Sequence, residues 1–413
     1  MKCRHCGAEV NLTLIDLGSA PPSNAYLTKL TIRRPEKWFP LKVLVCESCW
    51  LVQAEAYSRA AELFNDEYAY FSSFSAIWLA HAESYLNTMV ERFGLGSESH
   101  VVEVASNDGY LLQYVNRRGI SCLGIEPTAS TAAAARLKGI ETVEEFFGAG
   151  LAKKLVNKGK QADLMVANNV LAHVPDINDF VGGFALLLKP HGVATFEFTH
   201  LMHLIEDKLF DTIYHEHFSY LSFSTVHQIL NSNGLSVFDV EELETQGGSL
   251  RVFAQRADTG KYPVSEKVAE LAKRETAVGM KSALYYKGFQ EQANKVKNDF
   301  LNFLLEAKRQ GKKVAAYGAA AKGNTLLNYA GVRPDLLPYV VDKNPNKQGK
   351  YLPGSRIPIV TEAYIRKDCP DYVIILPWNL KSEIIEQLFY IRNWGGRFVT
   401  AVPFLTINEG KHQ

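Results

Sequence analysis

The chain has 413 residues, 47% hydrophobic and 22% charged, with a formal net charge of +1. That length exceeds one ordinary core, and the composition is that of a globular protein of two or three domains. The balanced charge leaves no basic footprint for nucleic acid or an anionic membrane, and no apolar run is long enough to span a bilayer. The first residues, MKCRHCG, contain no apolar signal core, so a cytoplasmic location is expected.

Four of six cysteines form two close pairs, "CRHC" (Cys3, Cys6) and "CESC" (Cys46, Cys49). Two such turns can grip one tetrahedral ion, and a closed set of four thiolates leaves no position open for substrate. A structural zinc is therefore expected on Cys3, Cys6, Cys46 and Cys49. Gly7 stands where the first turn needs an unusual backbone angle. His5 is expected to stay off the metal. The strand-like stretch "WFPLKVLVC" leads into the second pair. Cys122 and Cys369 stand alone near apolar runs and read as small packed side chains.

Residues 98 to 130 give an apolar run "VVEVA", a turn "SNDG", a helical pattern and a second strand "CLGIEP", which is a β-α-β unit. The turn lacks the three-glycine dinucleotide fingerprint. Ala105, Ser106, Asn107 and Gly109 instead make a turn of small or turn-forming residues that a ligand can approach closely. Glu126, followed by Pro127, ends the second strand, where a carboxylate can accept hydrogen bonds from both hydroxyls of a ribose. A third strand, "ADLMVANN", ends at Asn168 and Asn169 and runs on to His173, and "LLLKPHG" leads into a fourth, "GVATFEF". This is the layout of class I methyltransferases, which bind S-adenosylmethionine where the strand order reverses.

The stretch "YHEHFSY", residues 214 to 220, concentrates two histidines, one glutamate and two tyrosines. In a strand, His215 and His217 share a face; in a helical turn, Tyr214 and His217 do. The segment alone leaves both open, and a metal role fits it poorly because its spacing matches no common zinc helix. "TQGGSLRVFAQ" reads as a turn entering a strand, with Arg251 able to grip a pyrophosphate by two parallel hydrogen bonds.

Residues 257 to about 310 read as helical. Phe289, Ala293, Val296, Phe300, Phe303, Leu304 and Ala307 recur at helical spacing as one buried stripe. "KKVAAYGAAAKGNTLLNYAG", "LPYVVDKNPNKQG" and "DYVIILPWN" then repeat the strand, turn and helix layout of the middle of the chain. The expected fold is α/β: a zinc-binding module over 1–66, a methyltransferase domain over 67–256, and a helical connection with a second Rossmann-like doubly wound domain over 257–413. Lys322 and Asn324, near a helix start, are candidate phosphate or base contacts, with a purely structural role the alternative.

Taken together, the paired C-x-x-C, "EVASNDGYLL", "NNVLAHVPD", "YHEHFSY", "QGGSLRV" and "YGAAAKGNTLLN" resemble, end to end, three-domain C-methyltransferases acting on nucleotide-linked deoxy-keto sugars. The resemblance breaks at Gln246, where that family shows a histidine. It implies S-adenosylmethionine as donor, a nucleotide-linked keto-deoxy sugar as acceptor, methylation at C3, and a monomer. Methylating carbon needs a carbanion equivalent, so a base tuned near neutrality and a donor for an enolate oxygen are required. The resemblance assigns His217 as the base, Tyr214 beside it, Glu216 orienting the cluster, His173 at the sheet's carboxyl end, and Tyr68 in "DEYAYFSS", with Tyr70 close by. It leaves His215 structural. An oxygen or nitrogen acceptor, a ligand-binding protein without turnover, and a dehydrogenase are the alternatives.

Overall fold

A computed structural model of the protein describes residues 1–55, 57 and 71–408. Three sheets carry the fold among these residues. The first begins with Leu12–Ala20 (β1), Phe39–Val45 (β2) and Val52–Ala54 (β3), all antiparallel. In β2, Val43 and Val45 enter an apolar cluster shared with the C-terminal sheet, while Leu44 enters one shared with the central sheet. The two-residue period of a strand thus sends neighbouring side chains into different cores. The small sheet is a wedge between the two large ones, and the near-continuous apolar run of β2 is the signature of that double burial.

The central sheet uses His100–Val104 (β4), Ser121–Ile125 (β5), Thr142–Val143 (β6), Ala162–Asn168 (β7) and Leu188–Thr199 (β8). The two residues Ser219–Tyr220 (β9) then leave it and pair with Val52 and Gln53 of β3. Leu235–Leu243 (β10) and Ser249–Arg256 (β11) complete the central sheet in the order β10-β11-β8-β7-β4-β5-β6. Only β11 runs against its neighbours among these strands. The chain moves outward from β4 to β6, then crosses back to β7, so the order reverses between β4 and β7. That crossing opens a crevice at the carboxyl ends of the two strands. The helix Ala76–Phe93 precedes β4. It starts where the Ser75 side chain accepts the Trp78 N–H and ends at Gly94 with φ 64°.

The C-terminal sheet is built from Val314–Tyr317 (β12), Val340–Val341 (β13), Ile359–Val360 (β14), Tyr372–Ile375 (β15), Arg397–Thr400 (β16) and Thr406–Asn408 (β17). Its order, β14-β13-β12-β15-β16-β17, reverses between β12 and β15. Both large sheets are therefore doubly wound, each with its own crevice, as the repeated strand, turn and helix pattern predicts. The long helix Phe289–Arg309 buries Phe289, Ala293, Val296, Phe300, Leu304 and Ala307, while Phe303 is half-buried. No helix among the described residues is long and apolar enough to cross a membrane.

Candidate active site

The four cysteine Sγ atoms lie within 4.8 Å of one another, with Cys3 to Cys49 at 3.5 Å and Cys6 to Cys46 at 3.6 Å. Thiolates at tetrahedral corners around zinc stand about 3.8 Å apart, so this donor set fits the ion. Each pair closes on a turn. The Gly7 N–H donates to the Cys3 carbonyl at 3.1 Å, and the Trp50 N–H to the Cys46 carbonyl at 2.8 Å. Both residues are left-handed, at φ 74° and 63°, so Trp50 takes a conformation that glycine adopts freely. His5 turns away to Asn178, its Nδ1 2.8 Å from the amide oxygen, and is no part of the sulfur cluster.

At the end of β4, Ala105, Asn107 and Gly109 have φ of 54°, 50° and 74°. Left-handed non-glycine residues cost energy and concentrate at functional turns. The turn is closed by Glu126 at the end of β5. One carboxylate oxygen accepts the Asn107 N–H and the other the Thr128 N–H, both at 2.9 Å. Burial pushes this carboxyl above its ordinary value, and backbone donors oppose that. Ser106 is fully buried, and its Oγ has no hydrogen-bond partner among the described residues. Gly124 on β5 makes the room, since a Cβ there would lie 2.5 Å from that oxygen. Asn168 ends β7, and the Asn169 N–H donates to the Glu197 carbonyl at 2.6 Å with φ 56°. These groups, with half-buried Pro127, rim the β4/β7 crevice, and a carboxylate held by backbone amides beside it suits a nucleoside ribose. Thr128 was not singled out by sequence, because a backbone N–H has no residue signature.

Residues 214 to 217 form a turn, not a strand, for the His217 N–H donates to the Tyr214 carbonyl at 2.9 Å. The rings of Tyr214 and His217 then pack against each other at a tilt, with centres 4.0 Å apart and planes 32° apart. His173, arriving from the end of β7, puts its ring centre 4.6 Å from that of His217. Nδ1 of His217 lies 2.8 Å from the Thr212 carbonyl, and Nδ1 of His173 lies 2.7 Å from the Glu216 carbonyl. A carbonyl only accepts, so each Nδ1 carries the hydrogen and each Nε2 is the basic nitrogen. Burial holds His217 well below the ordinary histidine value, and His173 and Lys322 add to the effect; burial alone drives His173 down to about 4. Both rings are neutral near pH 7.

Glu216 reaches this cluster through its backbone carbonyl. Its buried carboxylate accepts from the backbone and side chain of Asn24 at 3.2 and 3.0 Å, and burial pushes the carboxyl up. His215 packs edge-on against Phe39, its Nε2 3.2 Å from the Phe39 carbonyl, a structural placement. Tyr68 and Tyr70 lie outside the described residues.

Arg251 and Asn324 are placed differently from the phosphate contacts the sequence suggests. Arg251 is 5% exposed, and its two terminal nitrogens donate to Glu197 and Glu241 at 2.9 and 3.0 Å. Those partners sit on the strands flanking β11, so its guanidinium is a buried brace across the sheet. Glu197 also faces His81, with Nε2 2.9 Å from one carboxylate oxygen, and His81 stacks on Trp78. His81 carries no signal in the sequence, because a lone histidine on an amphipathic helix has no distinguishing pattern. Asn324 is buried and donates to the Ser23 carbonyl at 2.6 Å, tying the helix after β12 to the N-terminal module. Lys322 lies where the two large sheets meet. Its Nζ donates to Gln246 and Asn379 side-chain oxygens, both at 3.1 Å, and lies 4.6 Å from the Trp378 ring centre. Trp378 and Asn379 follow β15 at its carboxyl end, a position that could have flagged them.

Three family descriptions match the chain in succession: a zinc binding domain over residues 3–64, a methyltransferase domain over 78–240, and a C-methyltransferase C-terminal domain over 244–403. The C-methyltransferase NovU of Streptomyces niveus is 33% identical over 402 residues, spanning 97% of this chain and 95% of that one. A ubiquinone biosynthesis O-methyltransferase of Chelativorans sp. (strain BNC1) is 30% identical over 94 residues, 22% of this chain and 37% of its own. Among solved structures, magnesium protoporphyrin IX methyltransferase from Synechocystis PCC 6803 with bound SAM overlays 44% of this chain and 82% of its own. It does so at 16% identity and a TM-score of 0.33, too loose an overlap to locate a site. The near full-length match and the three consecutive domains make this chain a methyltransferase with a zinc-binding N-terminal domain, a member of the C-methyltransferase family that includes NovU.

Proposed function

We propose that the protein methylates C3 of a nucleotide-linked 4-keto-6-deoxy sugar in deoxysugar biosynthesis, with S-adenosylmethionine as donor and His217 as base. The 4-keto group acidifies C3. Nε2 of His217 takes the C3 proton, and the electron pair moves onto the ketone oxygen as an enolate. S-adenosylmethionine, when bound, supplies an electrophilic methyl to a carbon nucleophile in line with it. The electron pair returns to C3 as the new carbon–carbon bond forms, the methyl–sulfur bond breaking with its pair left on sulfur, so that S-adenosylhomocysteine is the leaving group. Glu126 accepts from the donor's ribose hydroxyls, and the Ala105–Gly109 turn with Pro127, Asn168 and Asn169 encloses the nucleoside. Tyr214, its ring packed against that of His217, donates to the enolate oxygen, and His173 packs beside His217 and adds to the burial that keeps it neutral.

The observation that supports this reading most is the pair of imidazoles whose Nδ1–H groups are tied to backbone carbonyls, leaving basic Nε2 atoms in a buried site. A neutral, oriented histidine can accept a proton from a ketone-activated carbon, but burial sets the proton affinity of His217 below the near-neutral tuning expected from the sequence. The test is hydrogen exchange in heavy water. A panel of 4-keto-6-deoxy nucleotide sugars is incubated without donor, then with it, and read by mass spectrometry. One deuterium at C3 and then one methyl are expected on one member. His217→Asn should lose both, by about a hundredfold or more, while still binding S-adenosylhomocysteine. Undiminished exchange in that variant removes His217 as base, and label at C5 moves the reaction to the ketone's other neighbour.

A further inference from the structure

Residues 211–217 fall within the span matched by the methyltransferase domain, yet their side chains and carbonyls are held by the domains on either side. The Trp378 indole N–H donates to the Asp211 carboxylate at 2.8 Å, and the Thr325 hydroxyl donates to the Ile213 carbonyl at 2.7 Å. Trp378 lies in the turn Trp378–Leu380 that leaves β15, and Thr325 in the helix Ala321–Tyr329 that leaves β12, so both belong to the C-terminal domain. The other two anchors come from the N-terminal module. The Phe39 carbonyl on β2 accepts from His215 Nε2 at 3.2 Å. Asn24, in the loop between β1 and β2, donates its backbone N–H and its side-chain amide to one oxygen of Glu216, at 3.2 and 3.0 Å.

These anchors bracket the two carbonyls that set the imidazole tautomers. The Thr212 carbonyl, which takes the Nδ1–H of His217 at 2.8 Å, stands in the chain between Asp211 and Ile213. The Glu216 carbonyl, which takes the Nδ1–H of His173 at 2.7 Å, belongs to the residue that Asn24 grips. A carbonyl holds a tautomer only while its peptide plane is held, because a hydrogen bond weakens steeply as its angle closes. The short turn Phe210–Thr212 makes its last backbone bond at the Ile213 N–H, and the backbone is extended at Ile213 itself. No helical ladder runs on from there to the histidine. Thr325, Ile213 and Glu216 are at most 3% exposed, so water does not replace a partner lost at these positions.

We propose that Thr325 and Asn24 are positioning residues for the two imidazoles: Thr325, from the C-terminal domain, for His217, and Asn24, from the zinc-binding module, for His173. The basic site is then assembled by two domains that contain neither histidine. The effect on rate rests on the nucleotide-sugar reading, whereas the tautomers are read without any sugar.

The test uses the zinc-loaded full chain carrying isotope-labelled histidine. Nitrogen NMR distinguishes a protonated from a bare ring nitrogen, and His217→Asn and His173→Asn assign the two rings. Thr325→Val keeps the shape of the side chain and removes the hydroxyl. It is expected to shift the His217 signals away from the Nδ1–H form while those of His173 stay in place, and Thr325→Ser should restore them. Asn24→Ala is expected to shift His173 instead, with Asn24→Gln, which keeps an amide donor, nearer to wild type. On a 4-keto-6-deoxy nucleotide sugar, Thr325→Val should lower kcat for donor-free exchange by about tenfold, with KM and S-adenosylhomocysteine affinity within about twofold of wild type. A merely structural contact would lower the melting temperature and leave nitrogen signals and kcat where they were. Unmoved signals in either variant overturn that residue's role, whatever the sugar does. Shifted signals with undiminished kcat overturn it as well. Shifted signals in a protein whose wild type exchanges no sugar leave the positioning in place and remove the nucleotide-sugar reading.

Discussion

At the scale of single residues, burial sets how the site responds to pH. In the role proposed for it, His217 must be neutral, and its proton affinity is depressed, chiefly by desolvation. The acid limb of donor-free sugar exchange should therefore fall below pH 6.5, the ordinary histidine value. A limb at or above it would mean that the ring is not held neutral. His173, at about 4 when folded against 6.5 unfolded, carries a stability consequence. Between those values the unfolded chain binds the extra proton. Stability present above pH 6.5 is thus lost as pH falls toward 4. His173→Gln should flatten that part of a melting-temperature profile. Arg251 gives a different kind of prediction. Arg251→Met leaves the Glu197 and Glu241 carboxylates without their guanidinium, so unfolding free energy from denaturant titration should drop by about 3–5 kcal/mol. Diphosphate affinity of the folded fraction should not move. These residues also mark what sequence could reveal. Glu126 and the 105–109 turn were legible because a strand, turn and strand end are local. Arg251 was not, because its partners on β8 and β10 become neighbours only through the sheet, and a strand arginine reads the same whether it grips a phosphate or a carboxylate.

At the scale of elements, the segment 214–220 shows why its conformation stayed open in the sequence. Its first half is a turn and its last two residues are a strand, and that strand belongs to the sheet of residues 12–54. No local pattern encodes a partner so distant. The pairing also links the zinc module to the rings of His217 and Tyr214. Arg4, inside the first cysteine turn, donates to the Ala54 carbonyl at 2.7 Å and lies 5.1 Å from the Phe218 ring centre, next in sequence to His217. The Ala54 N–H in turn donates to the Phe218 carbonyl at 3.1 Å. A zinc bound there would order the strand edge that carries His217, the base proposed above, while standing apart from the substrate. Elemental analysis should return one zinc per chain. Arg4→Met should keep that zinc and S-adenosylhomocysteine affinity while sugar exchange falls by about tenfold, the scale of losing one hydrogen bond to a charged group. Unchanged exchange would make the module a stabilising cap alone.

At the scale of the whole molecule, the cleft exists because two sheets meet at glycines. Gly247, in the central sheet's β10–β11 turn, has φ 86°, and a Cβ there would lie 2.5 Å from the Trp378 ring of the C-terminal sheet. Its neighbour Gly248 has φ 112°, and a Cβ there would lie 2.5 Å from His203, on the central side. Both alanine variants are strained, and each should cost about 1–3 kcal/mol of stability. Only the first pushes on the other domain. Gly247→Ala must displace Trp378, which carries both the face under Lys322 and the donor to Asp211. It is expected to slow donor-free sugar exchange by about tenfold, because Trp378 anchors the Asp211 end of the segment that carries His217. Gly248→Ala should be destabilised comparably yet keep that rate. S-adenosylhomocysteine binding, proposed above for the β4/β7 crevice, should survive both. Equal loss of exchange in the two variants would trace the effect to the turn's own backbone. Loss in Gly247→Ala alone would trace it to the approach of the two sheets, and would make their spacing a determinant of catalysis.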